Sequence, residues 1–112
     1  MNNRGYKEEE QACRHLQEKG YKIVARNWLS PFGEIDIIAR DGDTLVFVEV
    51  KSRRGWNFVS PEEALTAEKR KRIITTARLY LSQMENQVPV RFDFVAVCDG
   101  KVTLYQNAFQ VD

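Results

Sequence analysis

Several things are scarce in this chain, and each scarcity removes a class of protein. Two cysteines, Cys13 and Cys98, are too few for a disulfide framework. Both sit among apolar neighbours, as reduced buried thiols of a cytoplasmic protein do. The single histidine, His15, falls on the polar side of a helical pattern and reads as a surface residue, so the ligands of a zinc site are lacking. No apolar run approaches the ~20 residues needed to cross a bilayer. Met1-Asn2-Asn3-Arg4-Gly5 has no apolar segment behind it, and secretion is not expected. Three prolines and six glycines in 112 residues exclude collagen-like and low-complexity chains. What remains is 43% hydrophobic and 29% charged, the composition of one globular domain spanning residues 1–112.

The net charge of +1 hides an uneven distribution. Residues 51–78 carry eight basic and three acidic side chains, while the segments on either side are each net negative by two. A basic middle between acidic flanks suits a polyanionic partner, and equally a solvated helix face.

Hydrophobic periodicity predicts a helix over 5–19, with Glu9, Ala12, Cys13 and Leu16 on one stripe and Gly20 as its stop. Strands follow at Tyr21–Leu29, Glu34–Arg40 and Thr44–Ser52, the last two around Asp41-Gly42-Asp43, a hairpin signal. Ser60-Pro61-Glu62-Glu63 opens a second helix, read as continuous through an apolar stripe from Ile73 to Met84. Val90–Cys98 and Val102–Gln106 are the last strands, around Asp99-Gly100. The order α-β-β-β-α-β-β predicts an α/β domain, a mixed central sheet flanked by helices.

The first hairpin carries the chemistry. A turn on Gly42-Asp43 pairs positions that sum to 85, so Asp36 faces Glu49 and Glu34 faces Lys51, with Cβ atoms ~5 Å apart; a turn on Asp41-Gly42 shifts the sum to 83 and leaves Asp36 diagonal to Glu49 on the same face. Alternation places Glu34, Asp36, Glu49 and Lys51 on one face with Ile38 and Phe47, and Ile35, Ile37, Val46, Val48 and Val50 on the other. Strands apolar on both faces are central and covered. Two facing carboxylates in such a place repel, and a divalent cation is the simplest compensation: Mg²⁺ or Mn²⁺ suits hard oxygen ligands. Glu9, on the inward stripe of the first helix, is either a third acid for that ion or a favourable charge in a first turn. Lys51 either assists a metal-bound water and a developing phosphoryl charge or forms a plain ion pair with Glu34.

Glu9, Gly33-Glu34-Ile35-Asp36 and Phe47-Val48-Glu49-Val50-Lys51 with Arg53 resemble the PD-(D/E)xK nuclease superfamily. Gly20-Tyr21, Arg26-Asn27, Pro61-Glu62-Glu63-Ala64 with Lys69, Ala77 with Tyr80-Leu81, and Arg91-Phe92-Asp93 extend the likeness nearly end to end, to the bacterial YraN family, itself similar to archaeal Holliday-junction resolvases. The usual Pro-Asp pair reads Ile35-Asp36 here. The resemblance implies a restriction-endonuclease-like αβββαβ core and a Mg²⁺-dependent endonuclease acting on DNA, with junctions or branches as the expected substrate. Asp36, Glu49 and Glu9 would hold the metal with the Val50 carbonyl, and Lys51 would be the catalytic lysine. The superfamily's resolvases act as dimers, so a homodimer is compatible. Arg53, Arg54, Trp56, Lys69 and Arg72 are the candidate nucleic-acid contacts, through phosphate pairing and base stacking. Trp56 and Phe58 would equally serve a loop folded onto the core. The alternative from another class is a non-catalytic nucleic-acid-binding or adaptor module that retains the fold.

Overall fold

The computed structural model describes residues 6–54 and 60–111. Helix α1 (Tyr6–Glu18) precedes strands β1 (Lys22–Ser30), β2 (Gly33–Asp41) and β3 (Thr44–Arg53); helices α2 (Pro61–Ala64) and α3 (Ala67–Leu81) cross over to β4 (Val90–Cys98) and β5 (Lys101–Phe109). The strands form one sheet in the order β1-β2-β3-β4-β5. Among the described residues only the β3–β4 pairing is parallel. Parallel neighbours need a long crossover, which is why both later helices lie between these two strands in the chain. The expected mixed α/β sheet with flanking helices is present.

The helices cover opposite faces. Ala12, Cys13 and Leu16 of α1 pack on Ile37, Ala39, Val46, Val48, Val95 and Val97. Ile73 and Ala77 of α3 pack on Ile38, Leu45, Phe47, Phe92 and Phe94. Helix α1 ends where Gly20 takes φ 93°, and the Tyr21 N–H returns to the Leu16 carbonyl at 2.9 Å. On the α3 side aromatic rings fill the layer: Phe92 stacks on Phe109 at 4.7 Å, and Tyr80 meets the edges of Trp28 and Phe47.

Three expectations change. The second helix is two helices. Ser60 caps α2 as predicted, accepting from the Glu63 N–H at 3.2 Å, but the helix stops at buried Leu65 and Thr66 caps a new one, accepting from the Lys69 N–H at 3.2 Å. Met84 lies beyond the end of α3, though it still packs on the core. Strand β5 runs three residues past the predicted end, bent at a register shift opposite Phe92 and Phe94, with Asn107 at φ 53°. Ile35 belongs to the α3-side core, not to the face of Ile37. The reason for this last change lies at the site itself.

Candidate active site

The β2–β3 register sums to 85 from Asp41↔Thr44 to Ile37↔Val48, as the Gly42-Asp43 turn predicts. There the ladder stops. The Asp36 carboxylate takes the next position, accepting from the Val50 N–H at 2.8 Å. On the other side of β2, the pairing runs Arg26↔Ile37 and then Trp28↔Ile35, passing over Asn27 and Asp36. Asn27 sits at φ 52°, a left-handed conformation that asparagine tolerates better than most residues. Alternation breaks in both strands at this pair. Ile35 and Trp28 therefore turn toward α3, while Ile37 stays under α1.

The break opens a cleft of about 230 Å³ lined by Gly33, Glu34, Asp36, Glu49, Lys69, Arg72 and Ile73. The β2–β3 hairpin supplies the acids, and the first turns of α3 supply the cations. Asp36 and Glu49 are hydrogen-bonded to each other. Burial, with that bond and the charge of Glu49, pushes the Asp36 carboxyl up to about 8 against the pull of the Val50 N–H. The pair thus holds a proton near neutral pH. Glu34 is raised too, first by burial and then by the charge of Asp36. Lys69 reaches in from α3, its Nζ 3.4 Å from Glu49 Oε2.

The predicted site residues do not all come together. Asp36 and Glu49 meet. Glu9 comes near enough to feel the charges of Asp36 and Glu34, and burial raises its carboxyl. The Asn27 side chain and the Arg26 guanidinium, 3.9 Å away, draw it back down, and it stands outside the lining of the cleft. Lys51, Arg53 and Arg54 are exposed along and beyond the end of β3, and Lys51 is not among the residues lining the cleft. Trp56 and Phe58 lie outside the described residues. Of Lys69-Arg70-Lys71-Arg72, the first and last line the acid cleft itself, one helical turn apart, and Arg70 and Lys71 face solvent.

A second polar cluster escaped sequence reasoning. Asp93 is fully buried, yet accepts from the Tyr21 hydroxyl at 2.7 Å, the Asn107 N–H at 2.9 Å and the Arg91 Nε at 2.9 Å. Arg91 also donates to Asp41 at 2.9 Å and to the Tyr21 hydroxyl, which accepts from Gln106 as well. Burial and Asp93 push the Tyr21 phenol up to about 12. With both carboxylate oxygens engaged outside the lining of the cleft, this cluster ties β4 to β2, to β5 and to Tyr21 just ahead of β1. The only prior signal was that Tyr21 and Arg91-Phe92-Asp93 stand in segments shared with the resembled family.

The donor set at the fork suits a hard divalent cation. Two carboxylates already close enough to share a proton present oxygen ligands to one point, and Mg²⁺ commonly takes only one or two protein carboxylates. Among the described residues no group of three or more His, Cys, Asp or Glu converges at ligating geometry. Water and substrate oxygens would therefore complete the coordination.

The fold is shared with a solved protein. The structure of Archaeoglobus fulgidus Hjc, a Holliday junction resolvase, superposes with a TM-score of 0.59 at 22% identity, over 91% of this chain and 76% of that one. A UPF0102 protein of Thermodesulfovibrio yellowstonii is 42% identical over 105 residues, 94% of each chain. One from Lachnoclostridium phytofermentans is 44% identical over 107 residues, 94% of this chain and 91% of the relative. The model described as "Uncharacterised protein family UPF0102" matches residues 8–97. With that span and those identities, the chain belongs to the UPF0102 family, the YraN family its sequence resembles.

Proposed function

We propose that this protein is a divalent-metal-dependent endonuclease that hydrolyses phosphodiester bonds of branched DNA. The observation that carries the reading is the meeting of Asp36 and Glu49 at a strand fork, in a cleft also lined by Lys69 and Arg72. Facing acids in a half-buried place work against folding unless something holds them together. The opposing cations of α3 suit the phosphate that would lie between. The likeness to a resolvase supports DNA with a junction or branch as the substrate.

In this reading Asp36 and Glu49 hold Mg²⁺ or Mn²⁺, with the Val50 carbonyl as a further ligand and Glu9 acting from α1. The ion would polarise the scissile phosphate and acidify an attacking water. Lys51, exposed two residues beyond Glu49, orients that water. Asp36, whose carboxyl burial holds protonated, would have to give up that proton to serve as a ligand. Arg72 neutralises the phosphate, and Arg53 and Arg54 extend the grip along the backbone.

The test is a panel of branched, duplex and single-stranded DNA with Mn²⁺, wild type beside Lys51→Ala. Cleavage of branched substrates by the wild type alone is expected. The second reading is a binding module that keeps the fold without the chemistry, favoured by the failure of three acids to converge among the described residues. Branched-DNA binding of equal strength in both proteins, with no strand cut under any divalent ion, would establish the second reading over the first.

A further inference from the structure

Lys69 occupies a place in α3 that local helix physics disfavours. It stands three residues after the cap Thr66, where a capping box would carry Glu or Gln. A cation in a first turn also opposes the helix dipole. Its partner is not local: Nζ lies 3.4 Å from Glu49 Oε2, and the Glu49 side chain is only 11% exposed. The backbone of Lys69 is pinned by the Thr66 hydroxyl, while the ammonium sits at the end of a flexible four-carbon stem. Arg72, one turn on, lines the same cleft and is exposed, and its guanidinium has no ion-pair partner among the described residues.

We propose that Lys69 is the resident counterion of Glu49, competing with the divalent cation for that carboxylate, and that it moves to the substrate phosphate beside Arg72 when the cation binds. The inference rests on the reading of Asp36 and Glu49 as the metal-holding pair. Lys69 gives Glu49 a positive partner while the site awaits its ion. A divalent ion on Glu49 repels the ammonium in a cleft of about 230 Å³, and a phosphate seated beside Arg72 offers Lys69 a stronger anion than Glu34, the remaining carboxylate of the lining. Lys69 is in this sense a positioning residue. It lowers affinity for the free metal and raises affinity for phosphate once metal is present, so cation and DNA load together.

Calorimetric titration of Mn²⁺ into the protein without nucleic acid tests this directly. Lys69→Met is expected to bind Mn²⁺ at least about tenfold more tightly than wild type, and Lys69→Arg to return to wild-type affinity. Glu49→Gln should abolish binding in either background. If wild type binds Mn²⁺ and Lys69→Met binds equally or more weakly while remaining folded by circular dichroism, the exchange role fails and the metal reading stands. If neither protein binds Mn²⁺, both fail. If only Lys69→Met binds, the exchange role holds in its strongest form.

Discussion

Replacing Asp36 with asparagine leaves the shape of the fork unchanged and removes its titrating group. The amide oxygen can accept from the Val50 N–H as the carboxylate does, and the amide N–H can donate to Glu49. The consequence for stability depends on pH, with a definite sign. The folded-state carboxyl titrates at about 8, against 3.8 for the ordinary group. Between those values the folded protein binds a proton that the unfolded chain has lost. Stability is therefore full below the lower value and falls as pH rises, by at most about 1.4 kcal/mol per unit. From about pH 5 to about pH 7 the ceiling on that loss is roughly 2.7 kcal/mol. The cleft is open to water, which relieves part of the strain, and about 1.5 kcal/mol is a realistic figure. The substituted amide has no such proton to lose. In chelator, to keep divalent ions away, the Asp36→Asn protein should gain on wild type by about 5 °C in Tm between those two pH values. Thermal melts followed by circular dichroism at each pH measure it. A constant Tm gap, or a wild type that gains on the variant toward pH 7, would refute a shared proton at the fork.

The other predictions reach the remaining parts of the molecule. Lys51→Ala should cost at least about 10²-fold in cleavage rate with Mn²⁺ while moving stability by under about 0.5 kcal/mol, because the side chain is exposed; a matching loss of stability would make Lys51 structural. Asp93→Ala should cost about 3–5 kcal/mol in urea denaturation, since it strips partners from Arg91 and Tyr21 in a fully buried site. Tyr21→Phe should cost about 1–3 kcal/mol for one hydroxyl that serves three partners. Arg72→Gln should weaken DNA binding for all sequences alike and lower the salt slope by about one, with metal affinity unchanged in calorimetry.

How much of this was legible in the sequence depends on how far apart the determining residues lie. The β2–β3 register could be read because a two-residue turn fixes it, with Gly42 at φ 61°, and the acids ride on that register. Ser60-Pro61 announced α2 because caps are local. The break at Leu65 was hidden because Thr66-Ala67-Glu68-Lys69 lacks the acidic partner of a capping box, and its Lys answers to Glu49 in another element. Ile35 went to the wrong face because period-two reasoning assumes an unbroken ladder, whereas Asn27 takes a left-handed φ opposite Asp36. Nothing in the hydrophobic pattern marks such a residue. The Tyr21–Asp93 bond joins positions 72 apart, beyond any local rule. Lys69 and Arg72 were read as backbone contacts from charge alone; that they share a cleft with the acids depends on the packing of α3 over the end of β2.

The bond from the Val50 N–H to Asp36 gives that acid a second livelihood. It stands in for a main-chain acceptor where two strands part, so a descendant that had abandoned all chemistry would still be under pressure to keep it. An aspartate at this spot in a distant cousin is thus weak testimony to catalysis. Glu49 and Lys51 complete no such seam, and their loss or survival is the better witness to whether a lineage still cuts.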